Sequence, residues 1–341
     1  MRYYLGADLG GTKTHLLIAD ESGQIAGFGE AGPGNHETVG FEGMLHSLQT
    51  ALSQALQDAK LPAEAICGAG FGIAGYDWAS ERKKMIETVS MLALKAPFTI
   101  VNDTIPGLVA GAEDGWGVVV VSGTGCNCRG WDRERKREGR VTGHGILMGE
   151  AAGASELVFR AMQLVSYAWT KRGPATALTQ VLLEHSGARD LEDLVEGYTQ
   201  GHYSIDSSVA PFIFQVAEDG DDVARQLIRW AGCELGEMAN AVIRQLEFEN
   251  LQFDVVLSGS MCENGLMLID PMRATIHKVA PGARLVRLTV PPVIGAVLIG
   301  MSDAGLKTNP AIRKTLVESI DAFRKKTHRK QCVDLCCLWL Y

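Results

Sequence analysis

Residues 5–20 read LGADLGGTKTHLLIAD, and the two apolar runs on either side of GGTKT constrain the fold more than any other feature. Gly11 and Lys13 nearly complete a phosphate-binding P-loop, but Thr12 separates them. A P-loop also needs a helix directly after its lysine, whereas THLLIAD is β-type and stops after about seven residues. The segment therefore predicts a strand, a glycine turn and a returning strand.

The next elements alternate in type along the chain. In order, we expect a third strand at IAGFGE, a helix over 38–59, a strand over 65–75, a helix over about 79–94, a strand over 98–103 and a helix directly after it. This β-β-β-α-β-α-β-α order predicts an α/β unit that is ribonuclease-H-like.

A second unit of the same kind begins at GWGVVVVSGTGCNCRGWD, residues 115–132, which again reads as strand, glycine turn and strand. Residues 150–250 are mainly helical, and strands are expected at 253–260 and 284–288. Two such hairpins facing each other could hold a polyphosphate, since backbone amides in glycine-rich turns bind anions. Chance similarity of two β-hairpins is the alternative.

Composition excludes several classes of function. The 341 residues are 46% hydrophobic and 21% charged, with a formal net charge of −8, which argues against a general nucleic-acid binder. The basic runs RERKR and RKKTHRK lack interleaved aromatic residues. We expect no membrane partner and a cytoplasmic location, because no apolar run reaches the ~20 residues that span a bilayer and no secretory leader is visible. The eight cysteines lack zinc-type spacing.

Six short motifs, taken together, resemble a known family. They are Asp8–Thr14, GPGNH at 32–36, VND at 101–103, Ser122–Asn127, Ser258–Ser260 and Pro291–Ala296. In this order they resemble the actin / sugar kinase / heat-shock chaperone ATPase superfamily over about residues 3–303. Within it, the chain is most similar to the N-acetylglucosamine kinase branch of the BadF/BadG/BcrA/BcrD ATPase family. The resemblance implies two actin-like ATPase domains with an interdomain cleft.

The resemblance also implies the residues that contact each substrate. Those for ATP are Gly10, Gly11, Thr12, Lys13, Thr14, Ser122, Gly123, Thr124, Ser258, Gly259, Ser260 and Gly295. Those for the sugar are Asn35, His36, Asp103, Gly125, Cys126, Asn127, His144 and Glu150. Threonine hydroxyls and glycine amides suit phosphate oxygens, while Lys13 is either a phosphate contact or a solvated strand residue.

Two aspartates carry the expected chemistry. Asp8 follows a strand among glycines, where a carboxylate can orient Mg²⁺ through water, although it could also merely cap the hairpin turn. Asp103 ends a strand and is the candidate general base for phosphoryl transfer. Its alternative role is to N-cap the helix that starts at TIPGLVAGA.

The loop TGHGILMGEAAG at 142–153 departs from the family pattern. His144 stands at an aromatic position, and Glu150 and Ala151 stand where the family has an Asp-Glu pair. Cys126 stands where serine is common. These changes put the sugar preference in doubt and leave the phosphate motifs intact.

We therefore expect an ATP- and Mg²⁺-dependent kinase that phosphorylates an amino sugar. The preferred substrate is N-acetylglucosamine, at its 6-hydroxyl, and the second choice is glucosamine. The resemblance also implies a homodimer. We expect a first lobe over residues 1–112 and a second lobe over 113–304, which contains a helical insertion. A helix at 305–330 should pack back on the first lobe through its apolar stripe, Ile312, Leu316, Ile320 and Phe323. The cysteine-rich tail at 331–341 has no assigned chemistry.

Three alternatives stay open. Gly70-Phe-Gly72-Ile-Ala-Gly75 fits the dinucleotide fingerprint of an oxidoreductase. An ATPase activator of a 2-hydroxyacyl-CoA dehydratase-type enzyme would need paired cysteines at the dimer face to hold an iron–sulfur cluster between subunits. Cys126 and Cys128 alternate along a strand beside the phosphate loop, which is a poor arrangement for a cluster. A regulatory ATP-binding module would lack the general base, whereas the candidate base Asp103 is present here.

Overall fold

The computed structural model describes residues 1–263 and 265–320. Its contacts divide the chain into two compact units. The first comprises Met1–Gly115 together with the described residues 288–320, and the second is Trp116–Arg287. Each unit has its own five-stranded mixed sheet.

The first unit is built on the sheet β3-β2-β1-β4-β5. Its strands are β1 (Tyr3–Leu9), β2 (Thr14–Asp20), β3 (Ile25–Ala31), β4 (Ile66–Ile73) and β5 (Phe98–Asn102). Its helices are α1 (His36–Ala59), α2 (Arg82–Ser90), α3 (Thr104–Gly111), α10 (Val293–Asp303) and α11 (310–320). The strands β1, β4 and β5 are parallel, so their carboxyl ends lie at one edge of the sheet.

The second unit repeats this arrangement around the sheet β10-β9-β6-β7-β8. Its strands are β6 (Gly117–Ser122), β7 (Cys126–Trp131), β8 (Glu138–Arg140), β9 (Phe253–Ser258) and β10 (Ala283–Arg287). Its helices are α4 (Ala154–Trp169), α5 (Leu178–Ser186), α6 (Leu191–Thr199), α7 (Ala210–Glu218), α8 (Asp222–Leu246) and α9 (Leu266–His277). In both units the first strand is central, with an antiparallel meander on one side and parallel strands on the other. The two similar hairpins therefore belong to a structural repeat, and the predicted α/β fold class is confirmed.

Glycines bring helix α10 into direct contact with the first sheet. A Cβ on Gly6, Gly68 or Gly70 would overlap the backbone of α10 at Val297, Gly300 and Ala296 respectively. Because these glycines have no side chains, the helix backbone lies directly on the strands.

The same packing changes the expected domain boundary. The sequence places residues up to 304 in the second lobe, whereas α10 packs on the first sheet and belongs to the first unit. Helix α11 also packs on this unit: Ile312, Leu316 and Ile320 are buried, and the Ser319 hydroxyl accepts a hydrogen bond from the Ile25 amide at 3.2 Å. Phe323 and the tail lie outside the described residues.

The glycines of the formal dinucleotide fingerprint also serve packing. Gly70 contacts α10, a Cβ on Gly72 would lie 2.5 Å from Pro106 Cγ, and a Cβ on Gly75 would overlap the Asn35 side chain. The following helix, α2, begins only at Arg82 after a 3₁₀ turn. No helix N-terminus therefore follows these glycines directly to receive a pyrophosphate, and the dinucleotide hypothesis fails.

Within residues 1–263 and 265–320, no helix is long and apolar enough to cross a membrane.

We predict that Gly70→Ala destabilises the protein by about 3 kcal/mol, because its Cβ would push α10 off the sheet. Gly32→Ala is the matched control, since a Cβ there meets no atom within 4 Å. Chemical unfolding of both variants tests this. Equal stability of the two variants would contradict close packing at Gly70.

Candidate functional site

The tip of the first hairpin is a tight, solvent-facing turn. The Gly10 amide donates to the Lys13 carbonyl at 2.8 Å, and the Gly34 amide donates to the Gly10 carbonyl at 3.0 Å. Between them, Gly11 and Thr12 are exposed. This geometry offers backbone amides and the Thr12 hydroxyl to an anion, as a glycine-rich phosphate turn requires.

Two neighbouring residues of this hairpin have structural roles instead. Thr14 is fully buried and its hydroxyl has no hydrogen-bond partner; it lies against Gly34, so it cannot reach a phosphate in this conformation. The Lys13 ammonium lies 3.4 Å from a carboxylate oxygen of Glu30 on the neighbouring strand. The structure therefore favours the solvated-strand alternative for Lys13.

Asp8 and Asp103 lie at the carboxyl edge of the first sheet. Asp8 on β1 is paired with Gly72 on β4, and Gly72 is paired with Val101 near the end of β5. A Cβ on Gly72 would lie 3.4 Å from the Asp103 Cα. The absence of a side chain at residue 72 thus leaves room for the backbone that carries Asp103.

The two carboxylates interact electrostatically. Burial, and secondarily the charge of Asp103, raise the pKa of Asp8 to about 7. A half-buried carboxylate beside a second one favours protonation or a bound cation. Oxygen ligands of this kind fit Mg²⁺, so the donor set agrees with the expected metal role of Asp8.

The N-terminus of α3 is capped by Asn102 and not by Asp103. The Asn102 Oδ1 accepts from the Thr104 amide at 3.0 Å and from the Thr104 hydroxyl at 2.8 Å. Asp103 occupies the N-cap position but its side chain makes no cap hydrogen bond. The capping alternative for Asp103 is therefore wrong.

Asn35 and His36 begin helix α1. The Asn35 Oδ1 accepts from the Glu37 amide at 2.9 Å and so caps the helix. The His36 side chain is only 9% exposed; its Nε2 lies 3.2 Å from Glu81, and its ring packs on Phe41. His36 is thus held as a structural residue, which corrects its predicted sugar contact.

The second hairpin turn is fixed to the start of α4. The amides of Ala154 and Ser155 donate to the carbonyls of Gly123 and Thr124 at 2.8 and 2.9 Å. Thr124 and Gly125 are exposed, so their polar groups face solvent. This turn is the counterpart of the Gly10–Lys13 turn in the first unit.

Ser122 and Cys126, at the ends of this turn, are buried. The Ser122 hydroxyl donates to the Ala152 carbonyl at 2.6 Å, so it anchors the loop and is not a phosphate donor. Cys126 is 8% exposed and belongs to the core of the second unit, so a direct sugar contact by its thiol is also corrected.

The Ser258–Ser260 segment lies beside the second hairpin. Gly259 has φ +95°, and a Cβ there would overlap the Ser122 carbonyl. Only glycine fits this contact. The predicted adenosine motif and the second phosphate turn are therefore adjacent within one unit.

Gly295 belongs to the other unit. It lies on α10 in the first unit, where a Cβ would overlap the Pro106 carbonyl of α3. Close helix packing accounts for this glycine, and its predicted ATP contact has no support within the unit.

The divergent loop is held by Glu150. Its buried carboxylate accepts from the amides of Thr142 at 2.6 Å and His144 at 3.1 Å. The His144 residue is exposed, and Asn127 lies next to Gly143. Glu150 thus shapes the loop, while Asn127 and His144 lie at its surface.

The two cysteines beside the second hairpin turn do not form an exposed cluster site. Cys126 and Cys128 are buried, and burial raises the pKa of the Cys126 thiol to about 11. Burial in the core keeps both sulfurs away from any partner subunit. In the part of the chain that the structure describes, no group of three or more His, Cys, Asp or Glu could hold a metal ion. For Cys126 and Cys128 these observations argue against the iron–sulfur activator alternative, while the three cysteines of the tail lie outside the described residues.

Comparison with known proteins identifies the family. The model of the BadF/BadG/BcrA/BcrD ATPase family matches residues 5–300, and the chain belongs to this family. The N-acetyl-D-glucosamine kinase of Dictyostelium discoideum is 27% identical over 318 residues, covering 88% of this chain and 98% of that protein. The N-acetylmuramic acid/N-acetylglucosamine kinase of Clostridium acetobutylicum is 25% identical, covering 89% and 99%.

Solved structures share the fold. A ROK family glucokinase from Streptomyces griseus, solved with glucose and AMPPNP, has a TM-score of 0.55 at 18% identity, covering 88% of this chain and 99% of that one. A structural-genomics protein from Chromobacterium violaceum has a TM-score of 0.62 at 23% identity, with the same coverage. The protein is thus an ATP-using phosphotransferase of the sugar kinase type.

The raised pKa of Asp8 predicts a pH-dependent stability effect. Its folded-state pKa of about 7 exceeds the unfolded value near 4, so its contribution to stability is present below pH 4 and is lost as pH rises through 7. Relative to wild type, Asp8→Asn should therefore be more stable at pH 8 than at pH 5, by on the order of 2 kcal/mol after allowance for solvent screening.

Denaturant unfolding in EDTA at both pH values measures this difference. The exposed Asp114 provides the matched control, because Asp114→Asn should show no such change between pH 5 and 8. The same small change for both variants would contradict the raised pKa of Asp8.

Proposed function

We propose that the protein transfers the γ-phosphoryl group of ATP to an amino sugar. The preferred acceptor in this proposal is the 6-hydroxyl of N-acetylglucosamine. The observation that carries this proposal is the position of Asp103 at the carboxyl edge of the sheet, with the capping role taken by Asn102. The names of the curated relatives support an N-acetylated amino sugar as substrate.

In this reaction Asp103 would orient the attacking sugar hydroxyl and accept its proton. Phosphoryl transfer needs little covalent chemistry from the protein, so the orientation of this hydroxyl is its main contribution. Asn35, at the start of α1 in the same unit, would provide a further contact to the sugar.

The exposed turns at Gly10–Lys13 and Gly123–Gly125 would supply amide donors to the ATP phosphates. The Ser258–Ser260 segment would approach the adenosine. Asp8 would hold Mg²⁺ through its water shell, and when bound this ion would neutralise charge on the phosphates.

Two surface features bear on the sugar. Asn127 and His144 lie at the face of the loop that Glu150 holds. Because the Glu150 carboxylate accepts hydrogen bonds from two loop amides, it fixes the loop, and sugar specificity would depend on Asn127 and His144.

Glucosamine is the second candidate substrate. A cytoplasmic location and homodimerisation stay predictions of the family resemblance.

The direct test is ADP release with Mg-ATP and N-acetylglucosamine, glucosamine, N-acetylmannosamine, glucose or no sugar. We expect activity on one amino sugar and a loss of at least about 10³-fold in Asp103→Asn, because the base is removed. Asp114→Asn, an exposed carboxylate after the same helix, should keep wild-type activity.

Sugar-independent hydrolysis that is equal in wild type and Asp103→Asn would contradict the kinase function. It would instead favour an ATP-binding regulatory module.

A further inference from the structure

The Asn102 side chain is buried, with 2% exposure, and uses both ends of its carboxamide. Its Oδ1 accepts two hydrogen bonds from Thr104, one from the amide and one from the hydroxyl. These bonds fix the backbone on both sides of Asp103, because residues 102 and 104 flank it. The direction in which the Asp103 side chain points from the backbone therefore depends on the Asn102 carboxamide.

The other end of the carboxamide binds the loop after β4. The Asn102 Nδ2 donates to the Tyr76 carbonyl at 3.3 Å and to Asp77 Oδ1 at 3.1 Å. The Glu81 Oε2 accepts from the amides of Asp77 and Trp78 at 3.0 and 2.9 Å. Loop 75–78 is thus held from both sides.

The same loop reaches the start of α1. Glu81 Oε1 lies 3.2 Å from His36 Nε2, and a Cβ on Gly75 would overlap the Asn35 side chain. A continuous set of contacts therefore joins the candidate sugar residue Asn35 to the candidate base Asp103. Loop 75–78 contacts both the β5–α3 junction and the start of α1.

We propose that Asn102 is a positioning residue for catalysis, which places the Asp103 carboxylate by coupling the β5–α3 junction to loop 75–78. This inference rests on the proposed function. Only a side chain with both a donor and an acceptor makes all four hydrogen bonds. An aspartate keeps the two bonds from Thr104 but loses both donated bonds and faces the Asp77 carboxylate.

The test is a pair-swap series measured with the best amino sugar. Asn102→Asp should lower kcat about 30-fold per folded molecule, with the KM for ATP changed less than about twofold, because a displaced base slows only the transfer step. Asp77→Asn alone should lower kcat less than about threefold, since the amide oxygen can still accept from Asn102.

The double variant Asn102→Asp/Asp77→Asn should recover kcat to within about fivefold of wild type, because the carboxamide introduced at position 77 can now donate to the carboxylate introduced at position 102. Buried Asn240 of the second unit provides the matched control: its Nδ2 donates to the Thr275 carbonyl at 3.2 Å. Asn240→Asp should lower stability while leaving kcat per folded molecule unchanged.

Two results would overturn the inference. One is a kcat for Asn102→Asp within about threefold of wild type once the folded fraction is counted. The other is a double variant no more active than Asn102→Asp. Failure of the proposed function would give a different result, because the wild-type protein itself would then show no sugar-dependent ADP release. The inference about Asn102 would then be wrong as well.

Discussion

The contact between helix α10 and the first sheet is the constraint on which the first half of the site depends. Gly6, Gly68 and Gly70 allow the helix backbone to lie on β1 and β4. The same pattern continues to Gly72, where the start of α3 packs on the strand. Since β1, β4 and β5 are parallel, this packing aligns their carboxyl ends and brings Asp8 and Asp103 to one edge.

Placing two carboxylates at this edge costs free energy, which is expressed as the raised pKa of Asp8. Carboxylates with perturbed pKa values cluster at functional sites, where one group can hold a cation and another can accept a proton. The hydrogen bonds of Asn102 fix the β5–α3 junction next to this pair. On our proposal, one buried carboxamide both stabilises this junction and positions the candidate base.

Much of the fold was predictable because strand, glycine turn and strand recur twice with the same spacing of apolar runs. The side-chain roles were less predictable. Thr14 and Ser122 carry the hydroxyls expected at phosphate turns, but both side chains are buried in the units. The helix expected over about 79–94 is shorter, because residues 79–81 form a 3₁₀ turn. Asn102 and Asp103 both suit an N-cap, and only the backbone geometry decides between them.

The proposed function requires that Asp103 faces the sugar hydroxyl while Asn102 caps α3. A crystal structure with N-acetylglucosamine, Mg²⁺ and a non-hydrolysable ATP analogue tests it most directly. We predict that an Asp103 carboxylate oxygen lies about 3 Å from the sugar 6-hydroxyl, with the Asn102–Thr104 bonds intact. An Asp103 carboxylate bonded to the α3 amides, with the 6-hydroxyl directed to another residue, would contradict the account.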